Sequence, residues 1–152
     1  MFSVRLAQSS DILLIVDFQL RMAEESEGVA LDRDTLIAGV RAVFAGSARA
    51  GYWIVEHDGA AKGMAMTVPE WSDWRNGTVV WIHSVYVTPS SRRQGAFRAI
   101  YEHLLKTVEA TEGLKGLRLY VAKTNQPAQQ VYEAMGMTRD HYHLYEWLKA
   151  PG

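Results

Sequence analysis

Two arginines and one glycine stand directly before a run with helical periodicity, in the stretch SSRRQGAFRAIYEHL at positions 90–104. The N-terminus of a helix has backbone N–H groups without partners inside the helix and carries a partial positive charge, so it attracts anions. Gly95 would let the backbone approach a ligand closely, and Arg92, Arg93 and Arg98 would add charged partners for phosphate oxygens. The turn has the chemistry of a diphosphate site, although the same pattern also occurs as a solvated basic corner.

The elements on either side of this turn are predicted to be a long strand and an amphipathic helix. Residues 78–87, TVVWIHSVYV, are rich in the β-branched and aromatic types that favour strands. After the turn, apolar residues recur with a period of 3.6 and define one face of a helix: Phe97, Ile100, Tyr101, Leu104, Leu105 and Val108. A strand that leads through a basic turn into a buried helix would hold the turn in a fixed shape.

The first half of the chain is predicted to contribute two helices and three strands. Asp58-Gly59 is a turn pair that suits a tight hairpin between two apolar runs. Helix-capping types at Ser9, Ser10 and Asp11 precede a helical run to about Glu24. The remaining predicted elements are a strand at 2–6, a helix from Asp32, and the hairpin strands at 51–57 and 60–68.

The second half is predicted to continue with a strand, a helix and a last strand. Residues 116–122 alternate between apolar and polar side chains, as a strand does. Pro127 has the position of a first-turn proline, and the helix that follows it is predicted to stop at Gly136. Residues 138–148 are predicted to be the last strand. The resulting order, β-α-α-β-β-β-α-β-α-β, indicates one α/β (α+β) domain over residues 1–152.

Composition excludes several classes of function. The chain has 16 basic and 17 acidic residues and a net charge of −1, so no global field attracts nucleic acid or an anionic membrane. It has no cysteine, which excludes disulfides and a thiolate nucleophile and suits a cytoplasmic location. We expect no signal peptide, no membrane span and no metal site.

The segment VYVTPSSRRQGAFR resembles the acyl-CoA-binding motif of the GNAT N-acetyltransferase superfamily. That motif is a strand, a short loop and Arg/Gln-x-x-Gly-x-Gly/Ala at the start of a helix. Arg92 and Gly95 match its first two fixed positions, whereas Phe97 stands where the family usually has glycine or alanine.

A second segment, NQPAQQVYEAMGM, resembles a further signature of the same family. Asn125, Ala128, Tyr132 and Gly136 match it, and Met137 replaces the usual phenylalanine. Two ordered motifs in one chain are harder to obtain by chance than either alone. The resemblance implies a GNAT fold, with a mixed central sheet of six or seven strands, about four helices, and a bulge in the strand before the first motif.

The resemblance also implies acetyl-CoA as co-substrate and assigns its contacts. The strand before the motif would bind the acetyl and pantetheine groups through its backbone, at Val85, Tyr86 and Val87. Asn125 would bond the pantetheine arm. The diphosphate would lie on the turn and first helical residues: Arg92, Arg93, Gln94, Gly95, Ala96, Phe97 and Arg98.

The sequence offers one candidate for the general acid and two for the general base. By resemblance, Tyr132 stands where many members keep a tyrosine as general acid, next to the pantetheine arm. The glutamate that some members use as general base is replaced here by Tyr120. Two candidates for the base are Glu25, in an acidic stretch between the first helices, and His83, whose imidazole can accept a proton near neutral pH. Each could equally be a structural residue.

The predicted function is transfer of an acetyl group from acetyl-CoA to a primary amine, by direct attack in a ternary complex. The acceptor could be a small amine or a peptide amine, and a homodimer is possible in this family. Two alternatives keep the fold: a non-catalytic CoA-binding sensor or interaction module, and a transferase for a longer acyl-CoA.

Overall fold

The computed structural model describes residues 1–150 and contains one sheet of five strands. The strands are β1 Ser3–Leu6, β2 Gly51–His57, β3 Ala60–Ser72, β4 Gly77–Val87 and β5 Leu114–Leu119. The helices are α1 Ile12–Glu27, α2 Arg33–Phe44, α3 Ala96–Ala110 and α4 Gln126–Ala134. The mixed α/β class and the predicted order from the first strand to the last helix are confirmed.

The strands lie in the sheet in chain order, β1-β2-β3-β4-β5, and β1 to β4 pair antiparallel. The β2–β3 hairpin turns at Asp58 and Gly59, whose φ angles of 52° and 75° are those the turn pair predicts. β4 reaches the edge strand β5 through α3, a crossover typical of parallel neighbours. The basic turn therefore lies where the chain leaves β4 and enters α3, the helix that leads to the edge strand β5.

The two faces of the sheet are covered by different helices. Neighbouring residues of a strand point to opposite faces, and in β2 Ile54 joins the core formed with α1 and α2. Its neighbour Trp53 meets His103 of α3 edge-on, with ring centroids 5.2 Å apart. On the α1–α2 face, Phe18 packs against Tyr86 of β4 at 5.3 Å. Burial of a side chain of this size stabilises the fold by about 1.5–3 kcal/mol, so β4 is firmly anchored.

The chain forms two compact units, Met1–Arg118 and the part that begins at Leu119. The first unit holds the sheet up to Arg118 and helices α1 to α3. The second holds α4, which ends as predicted: Gly136 has φ 91°, and the Met137 N–H donates to the Tyr132 carbonyl at 3.0 Å. The single domain over residues 1–152 stays a prediction. Within residues 1–150, no helix is both long and apolar enough to cross a membrane.

The predicted last strand and the count of six or seven strands were wrong. Residues 138–150 form no strand, and the sheet of the described chain has five. A local turn begins the segment instead, because the Thr138 hydroxyl donates to Asp140 at 2.8 Å and accepts from the Asp140 N–H at 3.3 Å. Tyr145 and Trp147 are 91% and 86% exposed, so the segment has no buried face to stabilise a strand.

The best-satisfied buried carboxylate joins β1 to the start of α1. Asp11 is 8% exposed, and its two oxygens accept from Arg5 at 2.8 and 3.0 Å. It also accepts from the Gln8 N–H at 2.7 Å. The bond from Arg5, followed by that from Gln8, lowers the pKa of Asp11 against the opposing effect of burial.

Replacing Asp11 with asparagine is expected to lower the free energy of unfolding by about 1.5–3 kcal/mol at pH 7, because Arg5 loses one of its two charged partners and keeps only Glu56. A carboxylate with a lowered native pKa stabilises the fold above its unfolded pKa of about 3.9 and loses that effect as the pH falls through the native pKa. Urea unfolding should therefore show the difference between the two proteins shrink below about pH 4. The control Asp17→Asn, in a surface pair with Arg21, should change stability by less than about 1 kcal/mol.

Candidate active site

The turn between β4 and α3 has an unusual backbone. One short 3-10 turn, Pro89–Ser91, is followed by Arg93 and Gly95, whose φ angles are 62° and 94°. Gly95 is the N-cap of α3 and offers no side chain to cap it, while the Gly95 carbonyl accepts the first helical bond from the Ala99 N–H at 2.9 Å. The first turn of α3 thus presents its donors to an acceptor from outside the helix.

Gly95 is required by backbone conformation and not by crowding. A Cβ placed on it would meet no heavy atom within 4 Å. The space beside the helix mouth is therefore open to a ligand, and a side chain on residue 95 would project into that space. An anion at the start of α3 would therefore meet no steric obstacle beside Gly95.

The polar side chains around the mouth differ in their contacts. Arg93 is exposed, and Arg98 pairs with Glu102 one helical turn later at 2.9 Å, with most of its side chain in solvent. Gln94 donates to the Ser90 carbonyl at 3.0 Å. Ala96 is buried and Phe97 half-buried, so their side chains are largely withdrawn from the surface of the turn.

Arg92 is held by groups from two other elements. Its Nη2 lies 2.7 Å from Glu25 Oε2 near the end of α1, and its Nε donates to the Val87 carbonyl at 2.9 Å. The guanidinium carbon lies 5.5 Å from the centre of the Tyr86 ring, whose hydroxyl lies 3.5 Å from the same glutamate. The predicted diphosphate ligand Arg92 and the predicted base Glu25 are therefore partners of each other.

The end of β4 packs tightly on β3 beside these contacts. Val85 lies opposite Ala65, and Val87 lies opposite Gly63. A Cβ on Gly63 would come within 2.2 Å of the Tyr86 carbonyl oxygen, so only glycine fits there. The side chain of Tyr86 is buried, so a ligand beside β4 could contact only the backbone groups of this residue.

His83 is the extra residue of a β-bulge. The register of β3 and β4 passes from Met66 opposite Ser84 to Thr67 opposite Ile82, so His83 is the residue that the shift inserts into β4. Its side chain is exposed, and its ring stands at 87° to that of Trp81 with centroids 6.4 Å apart. Bulges redirect side chains next to functional sites, and this one lies two residues before Val85. Within residues 1–150, no three His, Asp or Glu side chains are grouped to hold a metal ion.

Tyr132 and Asn125 belong to the second unit. Tyr132 lies on α4 and lines a small cavity with Leu119, Val121 and Met137. Burial raises the pKa of Tyr132 above its usual value of 10, so its phenol keeps the proton at neutral pH. Asn125 caps α4 through its Oδ1, which accepts from the Ala128 N–H at 3.2 Å.

Comparison with known proteins shows which family this chain belongs to. The pattern of the acetyltransferase (GNAT) family matches residues 16–137. The chain belongs to this family. The match spans the turn, the bulged strand and both predicted motifs, so the predictions of a GNAT fold and of an acyltransferase are confirmed at the level of the family.

Individual relatives of this GNAT chain include a curated enzyme and solved structures. Phosphinothricin N-acetyltransferase of Streptomyces viridochromogenes is 35% identical over 88 residues, which are 57% of this chain and 46% of that enzyme. The match thus spans about half the length of that relative. A possible acetyltransferase from Clostridium difficile 630 has 34% identity and a TM-score of 0.90, with 99% of each chain covered.

A more distant structure shows the fold alone. An aminoglycoside N-acetyltransferase solved in complex with CoA is 16% identical, with a TM-score of 0.75 over 99% of this chain and 96% of that one.

Sequence reasoning missed one polar cluster of this GNAT protein. Glu70 of β3 accepts from the Trp81 indole at 3.0 Å and pairs with Arg118 of β5 at 3.2 Å, which links β3 to β5 across β4. Trp81 also meets His83, so the cluster lies next to the bulge. The alternation of side chains along β3 and β4 could have indicated which face of the sheet Glu70 and Trp81 share. The pairing of Glu70 with Arg118, 48 positions away, leaves no signal in the residues next to either one.

Proposed function

We propose that this protein transfers an acetyl group from acetyl-CoA to a primary amine by direct attack in a ternary complex. The observation that carries the proposal is the uncapped start of α3 at Gly95, directly after a bulged strand in a chain of the GNAT family. Open space beside Gly95 and the exposed Arg93 and Arg98 support a diphosphate at this place.

The first turn of α3 would hold the diphosphate mainly through backbone N–H groups. Residues 93–98 supply these donors, and Arg93, Gln94 and Arg98 add side-chain partners at the rim. Val85 and Val87 of β4 would present backbone groups to the pantetheine arm, and Asn125 would bond the same arm through its amide. When bound, acetyl-CoA supplies a thioester whose carbonyl carbon is open to attack by a nucleophile.

An amine acceptor must lose a proton before it can attack, because an alkylammonium has a pKa of about 10.4. Of the two predicted bases we favour His83, since it is exposed at the bulge of the strand that leads to the proposed cofactor turn. Glu25 already accepts from Arg92 and lies beside the Tyr86 hydroxyl, which favours a structural role. His83 would take the amine proton as the new C–N bond forms.

Collapse of the tetrahedral intermediate breaks the C–S bond and releases a thiolate. A backbone N–H of β4 near Val85 would donate to the oxyanion while that intermediate exists. Tyr132 would donate its proton to the leaving sulfur; burial raises the pKa of its phenol, so the proton is present at neutral pH but is given up less readily than by an exposed tyrosine. Over one turnover the ammonium nitrogen gives up two protons, one to solvent before the attack and one to His83 as the C–N bond forms. The CoA thiol receives its proton from Tyr132, and the proton on His83 returns through solvent to the Tyr132 phenolate.

Replacing Tyr132 with phenylalanine is expected to lower kcat about 10- to 100-fold and to leave the Kd for CoA nearly unchanged. The effect is moderate because a thiol has a pKa of about 8.5 and its thiolate leaves readily without help. The control Tyr145→Phe removes a hydroxyl from a tyrosine that is 91% exposed and should change neither quantity. An equal loss of kcat and CoA affinity would remove Tyr132 from the acid role.

A turnover screen tests the proposal itself. Thiol release from acetyl-CoA is followed with a panel of small amines, amino acids, aminoglycosides and peptides with free amines. Amine-dependent thiol release is expected with at least one class, and its absence, together with tight CoA binding, would support the non-catalytic sensor instead. Faster release from longer acyl-CoAs would support the second alternative, a transferase for a longer acyl-CoA. The cytoplasmic location and the homodimer stay predictions.

A further inference from the structure

Arg92 joins its own turn to two other elements of the first unit, α1 and β4, through one planar group. Its Nη2 reaches Glu25 near the end of α1 at 2.7 Å, its Nε reaches the Val87 carbonyl at the end of β4 at 2.9 Å, and its face lies over Tyr86. Lysine could not make these contacts together, because an ammonium lacks the flat fork of a guanidinium. The contacts lie immediately before the turn that starts α3.

The charge of Arg92 is already compensated. Glu25 shares a short ion pair with it, and both side chains are about half exposed, at 43% and 46%. A diphosphate would have to compete with that carboxylate for the same N–H groups. The neighbouring Arg93 is exposed and needs no such exchange, so it is the better direct partner for phosphate oxygens.

The backbone after Arg92 requires support. Arg93 adopts a left-handed φ of 62°, which a non-glycine residue holds only where its surroundings fix it. On its C-terminal side the turn is fixed by the first hydrogen bond of α3, from the Ala99 N–H to the Gly95 carbonyl. On its N-terminal side, the side chain of Arg92 ties the chain back to Val87 and across to Glu25.

We propose that Arg92 is a positioning residue, which acts through Glu25 and the Val87 carbonyl to hold the β4–α3 turn in the shape that binds a diphosphate. This inference rests on the proposed binding of CoA. Arg92 then stabilises the turn and does not bind the diphosphate itself, and Glu25 stabilises the turn and does not act as the general base. It also means that the end of α1 and the cofactor turn are linked, so a change at one reaches the other.

The two roles predict opposite changes in CoA affinity for one substitution, Glu25→Gln. If Arg92 bound the diphosphate directly, Glu25→Gln would free its guanidinium, remove a nearby negative charge and tighten CoA binding. If Arg92 supports the turn, the same substitution loosens it and weakens CoA binding by about three- to tenfold, in keeping with a half-exposed ion pair. Calorimetric titration of CoA into the full chain measures the difference. The matched control Glu24→Gln changes the charge equally one residue away and should not weaken binding.

A double-mutant cycle completes the test. Arg92→Gln should weaken CoA binding about tenfold, and adding Glu25→Gln should weaken it little further, because both changes break one contact. Arg92→Lys should recover only part of the loss. Tighter binding by Glu25→Gln, or full and additive losses in the double variant, would overturn the inference. Failure of the wild-type chain to bind CoA would contradict the proposed function instead, which keeps the two failures distinct.

Discussion

Gly95→Glu is expected to weaken CoA binding by at least about 100-fold. The new carboxylate would project into the open space beside the start of α3, where the diphosphate is proposed to lie, and like charges brought together in this way cost several kcal/mol. The backbone adds a second effect, because φ at Gly95 is 94° and any side chain is strained there.

Gly95→Ala separates these two effects. Alanine has the same backbone strain, about 1–2 kcal/mol, but brings no charge and meets no neighbouring atom within 4 Å. Both variants should therefore lose similar stability in thermal unfolding, whereas only the glutamate variant should lose nearly all CoA affinity in calorimetry. Equal CoA affinity in the two variants would show that the diphosphate lies elsewhere.

His83→Gln is expected to lower kcat by about 100-fold or more while the Kd for CoA stays within a factor of two or so. Glutamine retains a hydrogen-bonding side chain at the bulge but cannot accept a proton from the amine. The loss should exceed that of Tyr132→Phe, because a protonated amine cannot attack at all, whereas the thiolate is a good leaving group.

A matched control makes the His83 experiment specific. His141→Gln, in the second unit, removes another exposed imidazole and should leave both kcat and the Kd for CoA unchanged. An unchanged kcat in the His83 variant would assign the base to another group.

Local patterns were sufficient to predict most of the fold. The turn pair Asp58-Gly59, the apolar face of α3 and the stop at Gly136 each specify a local conformation, and the structure has each of them. The left-handed φ of 94° at Gly95 favours glycine, whereas the predicted approach of a ligand to its backbone stays a prediction. These features are visible in the sequence because each depends on residues only a few positions apart.

Features that depend on distant partners could not be predicted. Glu25 and Arg92 are 67 positions apart, so nothing near either residue indicates that they pair. The bulge at His83 is a register shift between two strands, and the family resemblance supplied it where residue types did not. The last strand failed for a related reason: its apolar and aromatic residues favour extended backbone, but residues 138–150 form no strand in the sheet.

A crystal structure of the chain with CoA tests the central claim most directly. The account predicts that the diphosphate accepts hydrogen bonds from the backbone N–H groups of residues 93–98, with Arg92 still bonded to Glu25 and to the Val87 carbonyl. A diphosphate bound away from the start of α3, with Gly95 facing solvent, would contradict it.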